Sequence, residues 1–155
     1  MPYYDGFNNL TDTWITTGIS SSMTAWAEEF GYYLTYDKKC TAYNAENKSH
    51  TLSNDTEASL TTTQLRRFFG EVRRIQSDFI NQTDSVLMLE PKLAYAVGRA
   101  GKGKIKCFHE QLSRGLRLVC ATIDSNDKKE AKKQFNNFVM VMEAIVAYHK
   151  VKDGK

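Results

Sequence analysis

No stretch of this chain approaches the roughly 20 consecutive apolar residues that a membrane-spanning helix needs. Mean hydropathy is −0.49, and hydrophobic residues make up 41% of the sequence, enough for one real core. Residues Met1-Pro2-Tyr3-Tyr4-Asp5 lack a basic segment followed by an apolar one, so no secretory signal is read there. The expectation is a soluble, cytoplasmic protein, which deprives the glycosylation-type tripeptides at Asn47, Asn54 and Asn81 of meaning. The three cysteines, Cys40, Cys107 and Cys120, form no CxxC pair, and none has a histidine at ligand spacing. That excludes a disulfide framework and a zinc site of the usual kind, and predicts reduced, mostly buried thiols. His50, His109 and His149 are equally scattered, without a carboxylate or thiol at triad spacing, so neither a catalytic constellation nor a metal or other cofactor is expected. Period-two alternation of aromatic and β-branched residues is missing, which argues against a sheet. No aromatic RNA-reading sheet motif, KH loop or zinc finger is present either.

Helical periodicity is what the chain does have. Residues 1–19 read as an irregular lead, and Ser20-Ser21-Ser22 as the cap of a helix over about 23–36, with Trp26, Phe30, Tyr33 and Leu34 as its stripe. Residues 37–60 read as a long polar loop. Thr61-Thr62-Thr63-Gln64 fits a capping box, and Leu65, Phe68, Phe69, Val72, Ile75 and Phe79 then predict a helix over about 62–81. A further helix is predicted over 88–99, with Pro91 in its first turn and Gly101 and Gly103 ending it. Ile105, Phe108, Leu112, Leu116 and Val119 predict another over 104–122, and Ala131, Phe135, Phe138, Met142 and Ile145 a last one over about 127–151. The fold class is therefore all-α, a compact bundle of about five helices. It is one domain, made of an acidic lead (1–60) with one helix and a long loop, and a basic core (61–155).

Charge divides along the same line. Residues 1–60 carry 3 Lys/Arg against 8 Asp/Glu, and residues 61–155 carry 18 against 10. A basic body suits a polyanion partner, although a solvated lysine face has the same composition. Arg66 and Arg73 are seven residues apart, as are Arg67 and Arg74, so each pair lies on nearly one helix line about 10–11 Å apart. Lys92 and Arg99 repeat that spacing, and Lys102, Lys104 and Lys106 extend the positive track. Arginine forks bind phosphate in bidentate fashion, which predicts backbone contacts and salt-sensitive, sequence-tolerant binding. Arg114, Arg117 and the lysines at 128, 129, 132 and 133 are ambiguous, and a local pair such as Arg67 with Glu71 fits the same pattern. Gly98-Arg99-Ala100-Gly101-Lys102-Gly103-Lys104-Ile105 nearly spells a P-loop, with Lys104 in the lysine place, but Ile105 has no hydroxyl for magnesium. Glu143, inside an apolar run, is expected to pair with an Arg or Lys of a neighbouring helix if it is buried.

Three blocks carry a family resemblance. They are Leu60-Thr61-Thr62-Thr63-Gln64-Leu65-Arg66-Arg67-Phe68-Phe69-Gly70-Glu71-Val72-Arg73-Arg74-Ile75, Pro91-Lys92-Leu93-Ala94-Tyr95-Ala96-Val97-Gly98-Arg99, and Phe135-Asn136-Asn137-Phe138 followed by Glu143-Ala144-Ile145-Val146-Ala147-Tyr148-His149-Lys150. In this order they resemble the small subunit of the type III-A CRISPR effector, the Csm complex. The resemblance implies a helical bundle present in several copies, without catalysis of its own. It implies contact with the target-strand backbone of a guide–target RNA duplex, with the backbone subunits and with the large signalling subunit. Carried onto this chain, it makes Arg66, Arg67, Arg73, Arg74, Lys92 and Arg99 the RNA-contact candidates, with Lys102 and Lys104 secondary. The pattern leaves open which member of each adjacent arginine pair faces RNA. The alternatives are a protein–protein scaffold and a P-loop-like nucleotide binder. The lead of about 60 residues departs from the family's expected shape and is read as docking a neighbouring subunit or decorating the surface.

Overall fold

Helix α6, Lys128–Asp153, is the post against which most of the other helices pack in this computed structural model, which describes residues 7–153. The segment Met1–Asp5, in which no secretory signal is read, lies outside the described residues. Asp127 caps α6 by accepting from the Glu130 backbone N–H at 3.1 Å. Ala131, Phe135, Phe138, Met142 and Ile145 point into the core at the predicted 3-4 spacing, and Gln134, Asn137, Val141 and His149 widen the buried face. What remains for solvent is a stripe through Met140, Glu143, Ala147 and Lys150. Glu143 is therefore exposed and, among the described residues, takes part in no ion pair. The expected buried partnership is corrected, because in water the carboxylate needs none.

The lead is far more structured than its composition suggests. Helix α1, Asp12–Thr16, buries Trp14 and Ile15, and helix α2, Ser21–Tyr33, buries Met23, Trp26, Ala27, Phe30 and Tyr33. Aromatic rings stack along α2, with Trp26 and Phe30 centroids 5.0 Å apart. Polar side chains of the later helices reach back to hold the lead. The Leu10 N–H donates to Gln111 Oε1 at 2.7 Å, Asn137 Nδ2 to the Ile15 carbonyl at 2.8 Å, and Arg114 Nε to the Leu10 carbonyl at 3.3 Å. The lead is thus packed on the chain's own α5 (Lys104–Asp124) and α6. Helix α2 crosses α6 at Gly31, where a Cβ would meet the His149 nitrogen and the Ile145 carbonyl oxygen at 3.0 Å.

Residues 37–60 are not a loop. They form a two-stranded antiparallel hairpin, β1 (Lys38–Asn44) and β2 (Ser49–Thr56), pairing Cys40 with Leu52 and Tyr43 with His50. Asn44 Oδ1 accepts from the Glu46 and Asn47 backbone amides and so turns the chain. The alternation that would reveal these strands is broken by bulges, and only Cys40 and His50 are buried in them. His50 packs among Tyr33, Tyr36 and Tyr43, and burial drives its pKa down to about 4, so it is neutral at physiological pH.

The remaining elements are α3 (Thr62–Gln76), a 3₁₀ turn at Phe79–Asn81 and α4 (Thr83–Ala100). Six α-helices stand among the described residues against about five expected, and the helical class is as read. The predicted helix over 62–81 breaks at Ser77 and resumes as the 3₁₀ turn that buries Phe79. Helix α4 begins earlier than expected, because Val86, Leu89 and Leu93 bury at 3-4 spacing. Pro91 therefore lies inside the helix on its exposed side. One continuous apolar cluster runs from Phe7 to Ile145. No helix among the described residues is long and apolar enough to cross a membrane. Cys40 and Cys107 are buried thiols, their pKa values pushed up by burial to about 11 and about 12, so neither forms a thiolate at neutral pH.

Candidate nucleic-acid interface

The start of α3 is pinned by a complete capping box. Thr61 Oγ1 accepts from the Gln64 N–H at 3.1 Å, and Gln64 Oε1 accepts from the Thr61 N–H at 2.9 Å. Leu65, Val72 and Ile75 bury one face of the helix, which leaves Arg66, Arg67, Arg73 and Arg74 in solvent. Helix α3 packs chiefly on α6 and helix α4 on α5, and the two have little direct contact with each other. Between them lies a groove of about 580 Å³. Its apolar floor is made by Leu60, Phe68, Leu89, Leu93, Ala96, Ile105 and Phe108, with Phe68 edge-on to Phe108 at 5.7 Å.

Cations line the rim: Arg67 from α3, Lys92 and Arg99 from α4. Glu71 sits among them, its Oε1 2.7 Å from Arg74 Nη2 and 3.6 Å from Lys92 Nζ. The Arg74 hydrogen bond holds this carboxyl below the usual carboxylate range and keeps it charged. The alternative of a local Arg67–Glu71 pair is not what forms: Glu71 joins Arg74 and Lys92 in a strap between the two helices. Arg67 and Arg99 take part in no ion pair among the described residues, so their guanidinium forks remain available.

The other candidates are distributed differently. Arg73 lies over the Phe69 ring at 5.6 Å, away from the groove. Arg66 edges a smaller depression of about 200 Å³ against α6, near His149 and Lys150. Lys102 is exposed in the turn between α4 and α5, where Gly101 and Gly103 hold positive φ. Adjacent arginines thus face different ways: Arg67 belongs to the α3/α4 groove and Arg66 does not.

Lys104 does not join the exposed track. Its side chain is fully buried at the N-terminus of α5, with Nζ 2.7 Å from the Tyr36 carbonyl, 2.8 Å from the Lys38 carbonyl and 3.3 Å from Glu57 Oε1. The ammonium also stands 4.7 Å from the Tyr33 ring centroid. It clamps the base of the hairpin, assisted by the Lys104 N–H donating to the Ala58 carbonyl at 2.8 Å. The P-loop reading fails with it. Gly98 lies within α4, and the lysine that would cradle a phosphate is spent on backbone carbonyls.

His109 pairs with Glu90 at 3.0 Å, and His149 Nε2 donates to the Leu60 carbonyl at 2.8 Å inside the core. Sequence reasoning missed the groove's other walls, Gln64, Phe68, Ile105 and Phe108. For α3 the signal was present, since 64, 67, 68 and 71 share one helix face.

Comparison with protein-family models matches residues 35–155 to Csm2 Type III-A, a range that holds the hairpin, both groove helices and α6 but leaves out α1 and α2. No curated protein and no solved structure gives a significant match.

Proposed function

The chain belongs to the Csm2 Type III-A family, and from that membership as small subunit of a type III-A CRISPR complex we propose that it grips the backbone of the target RNA without catalysing anything. On this reading the chain is one domain. Its basic body, residues 61–155, faces the guide–target duplex, while its acidic lead and hairpin side meets protein. Other copies of the chain and the large signalling subunit are its neighbours.

The observation that carries this reading is the convergence of Arg67, Lys92 and Arg99 on one groove rim, with Arg74 held beside them through Glu71. Cations from two helices share one rim, and guanidinium and ammonium donors of this kind suit phosphate contacts. Lys102, exposed in the turn after α4, and Arg66, at the smaller depression against α6, are weaker contacts on this reading.

The test is target-RNA affinity of the assembled complex, wild type against Arg67→Ala/Arg99→Ala, across a series of salt concentrations. Each phosphate contact removed should reduce the slope of log K against log salt by roughly 0.7–0.9, with affinity lower at every salt concentration and assembly unchanged. An unaltered slope and affinity would sink the proposal. The groove's apolar floor favours one other reading, a scaffold whose basic rim meets an acidic subunit surface. That reading requires the same variant to impair assembly while leaving RNA affinity per assembled complex intact.

A further inference from the structure

Tyr95 stands apart from the other described tyrosines. Tyr32, Tyr33, Tyr36, Tyr43 and Tyr148 each pack against another ring, whereas Tyr95 is 70% exposed and makes no ring contact or hydrogen bond among the described residues. A flat amphipathic ring left in water on a rigid helix is a large apolar area held at little further entropic cost, which is what a stacking platform needs.

Its neighbours on α4 define what would lie on it. Lys92 precedes it by three residues and Arg99 follows by four, so all three share one stripe of the helix, with the cations about 4.5 Å and 6 Å away along the axis. Both cations belong to the groove rim, and Tyr95 lies on the outer shoulder of the same helix, next to the rim rather than inside the groove. Met88, half exposed and seven residues earlier, extends the stripe as a second apolar contact. An aromatic ring between two cations matches a nucleic-acid strand, whose phosphates and base faces alternate in the same way.

We propose that Tyr95 is a stacking platform for an unpaired or splayed base of the bound RNA, flanked by phosphate contacts from Lys92 and Arg99. The proposal rests on the RNA-backbone reading above and adds a contact that is independent of salt. A π-face accepts any base, so the contact contributes affinity without sequence preference.

The experiment compares wild type, Tyr95→Phe and Tyr95→Ala in the assembled complex against one target RNA. A second series replaces single nucleotides of that RNA by abasic residues. Tyr95→Ala should weaken binding by about five- to a hundredfold. Its salt slope should equal that of wild type, Tyr95→Phe should bind normally, and one abasic position should erase the difference between wild type and Tyr95→Ala. Because the side chain is exposed, circular dichroism and melting of the variants should match wild type. Equal affinity of Tyr95→Ala and wild type would overturn the proposal, as would a loss of assembly with RNA affinity unchanged, which would make Tyr95 a protein contact. Failure of the underlying reading looks different, since Arg67→Ala/Arg99→Ala would then also leave affinity and salt slope untouched.

Discussion

Lys104 shows how position overrides residue type. In the sequence it is one more lysine in a Lys/Gly run; in the fold it is a desolvated cation satisfied by two carbonyls, a carboxylate and a tyrosine ring. Replacing it with Met keeps the length but takes the ammonium from the two carbonyls and leaves Glu57 only the Tyr33 hydroxyl at 3.3 Å. Breaking a buried, hydrogen-bonded charge of this kind costs about 3 kcal/mol. Urea denaturation of Lys104→Met should show that loss, with hydrogen exchange in 38–56 accelerating first. An unchanged midpoint would mean that the clamp contributes nothing. The same contrast explains Glu143, whose apolar neighbours in sequence suggest burial although the helix turns it toward water.

At the level of elements, two glycines in helices have opposite roles. At Gly31 the α2 backbone lies against α6, and a Cβ would sit 3.0 Å from a backbone nitrogen and a backbone oxygen that cannot move aside. Gly31→Ala should therefore destabilise by about 1–3 kcal/mol despite the better helix propensity of alanine. Gly70, on the exposed side of α3, has nothing within 4 Å of the position a Cβ would take. Gly70→Ala should stabilise by up to about 1 kcal/mol. Thermal melts of the two variants should shift in opposite directions, and a shared sign would refute the account of the α2/α6 crossing. Helix positions and the capping box were legible because 3-4 periodicity and Thr/Gln chemistry are local. The hairpin was not, because two buried side chains in bulged strands leave no period to detect.

For the molecule as a whole, the family match begins at residue 35, yet the apolar cluster does not. Trp14, Ile15, Trp26, Phe30 and Tyr33 are all buried in it, and burying each such side chain contributes about 1.5–3 kcal/mol. Several such losses exceed the stability of an ordinary domain. A fragment limited to 35–155 should therefore lose cooperative thermal unfolding and aggregate, although it retains every residue that the family model matches. A fragment that melts cooperatively near the full-length temperature would show that α1 and α2 are dispensable to the core. The signal for the lead's burial was its Trp and aromatic content, obscured by surrounding polar residues, of which Asn9 accepts from Gln111 Nε2 at 2.8 Å.

The helical class, the order of the long helices, the basic body and the family blocks were all written in local sequence, because each depends on spacing within a few turns of one helix. Tertiary structure alone decided which cations share a surface. Arg66 and Arg67 are neighbours in sequence, but the roughly 100° between successive helical residues sends one toward α6 and the other into the groove. Lys102 and Lys104 are nearly as close, yet one is in water and the other is buried beneath the hairpin. A charge pattern along a chain becomes a binding surface only after packing has chosen which side of each helix the solvent sees.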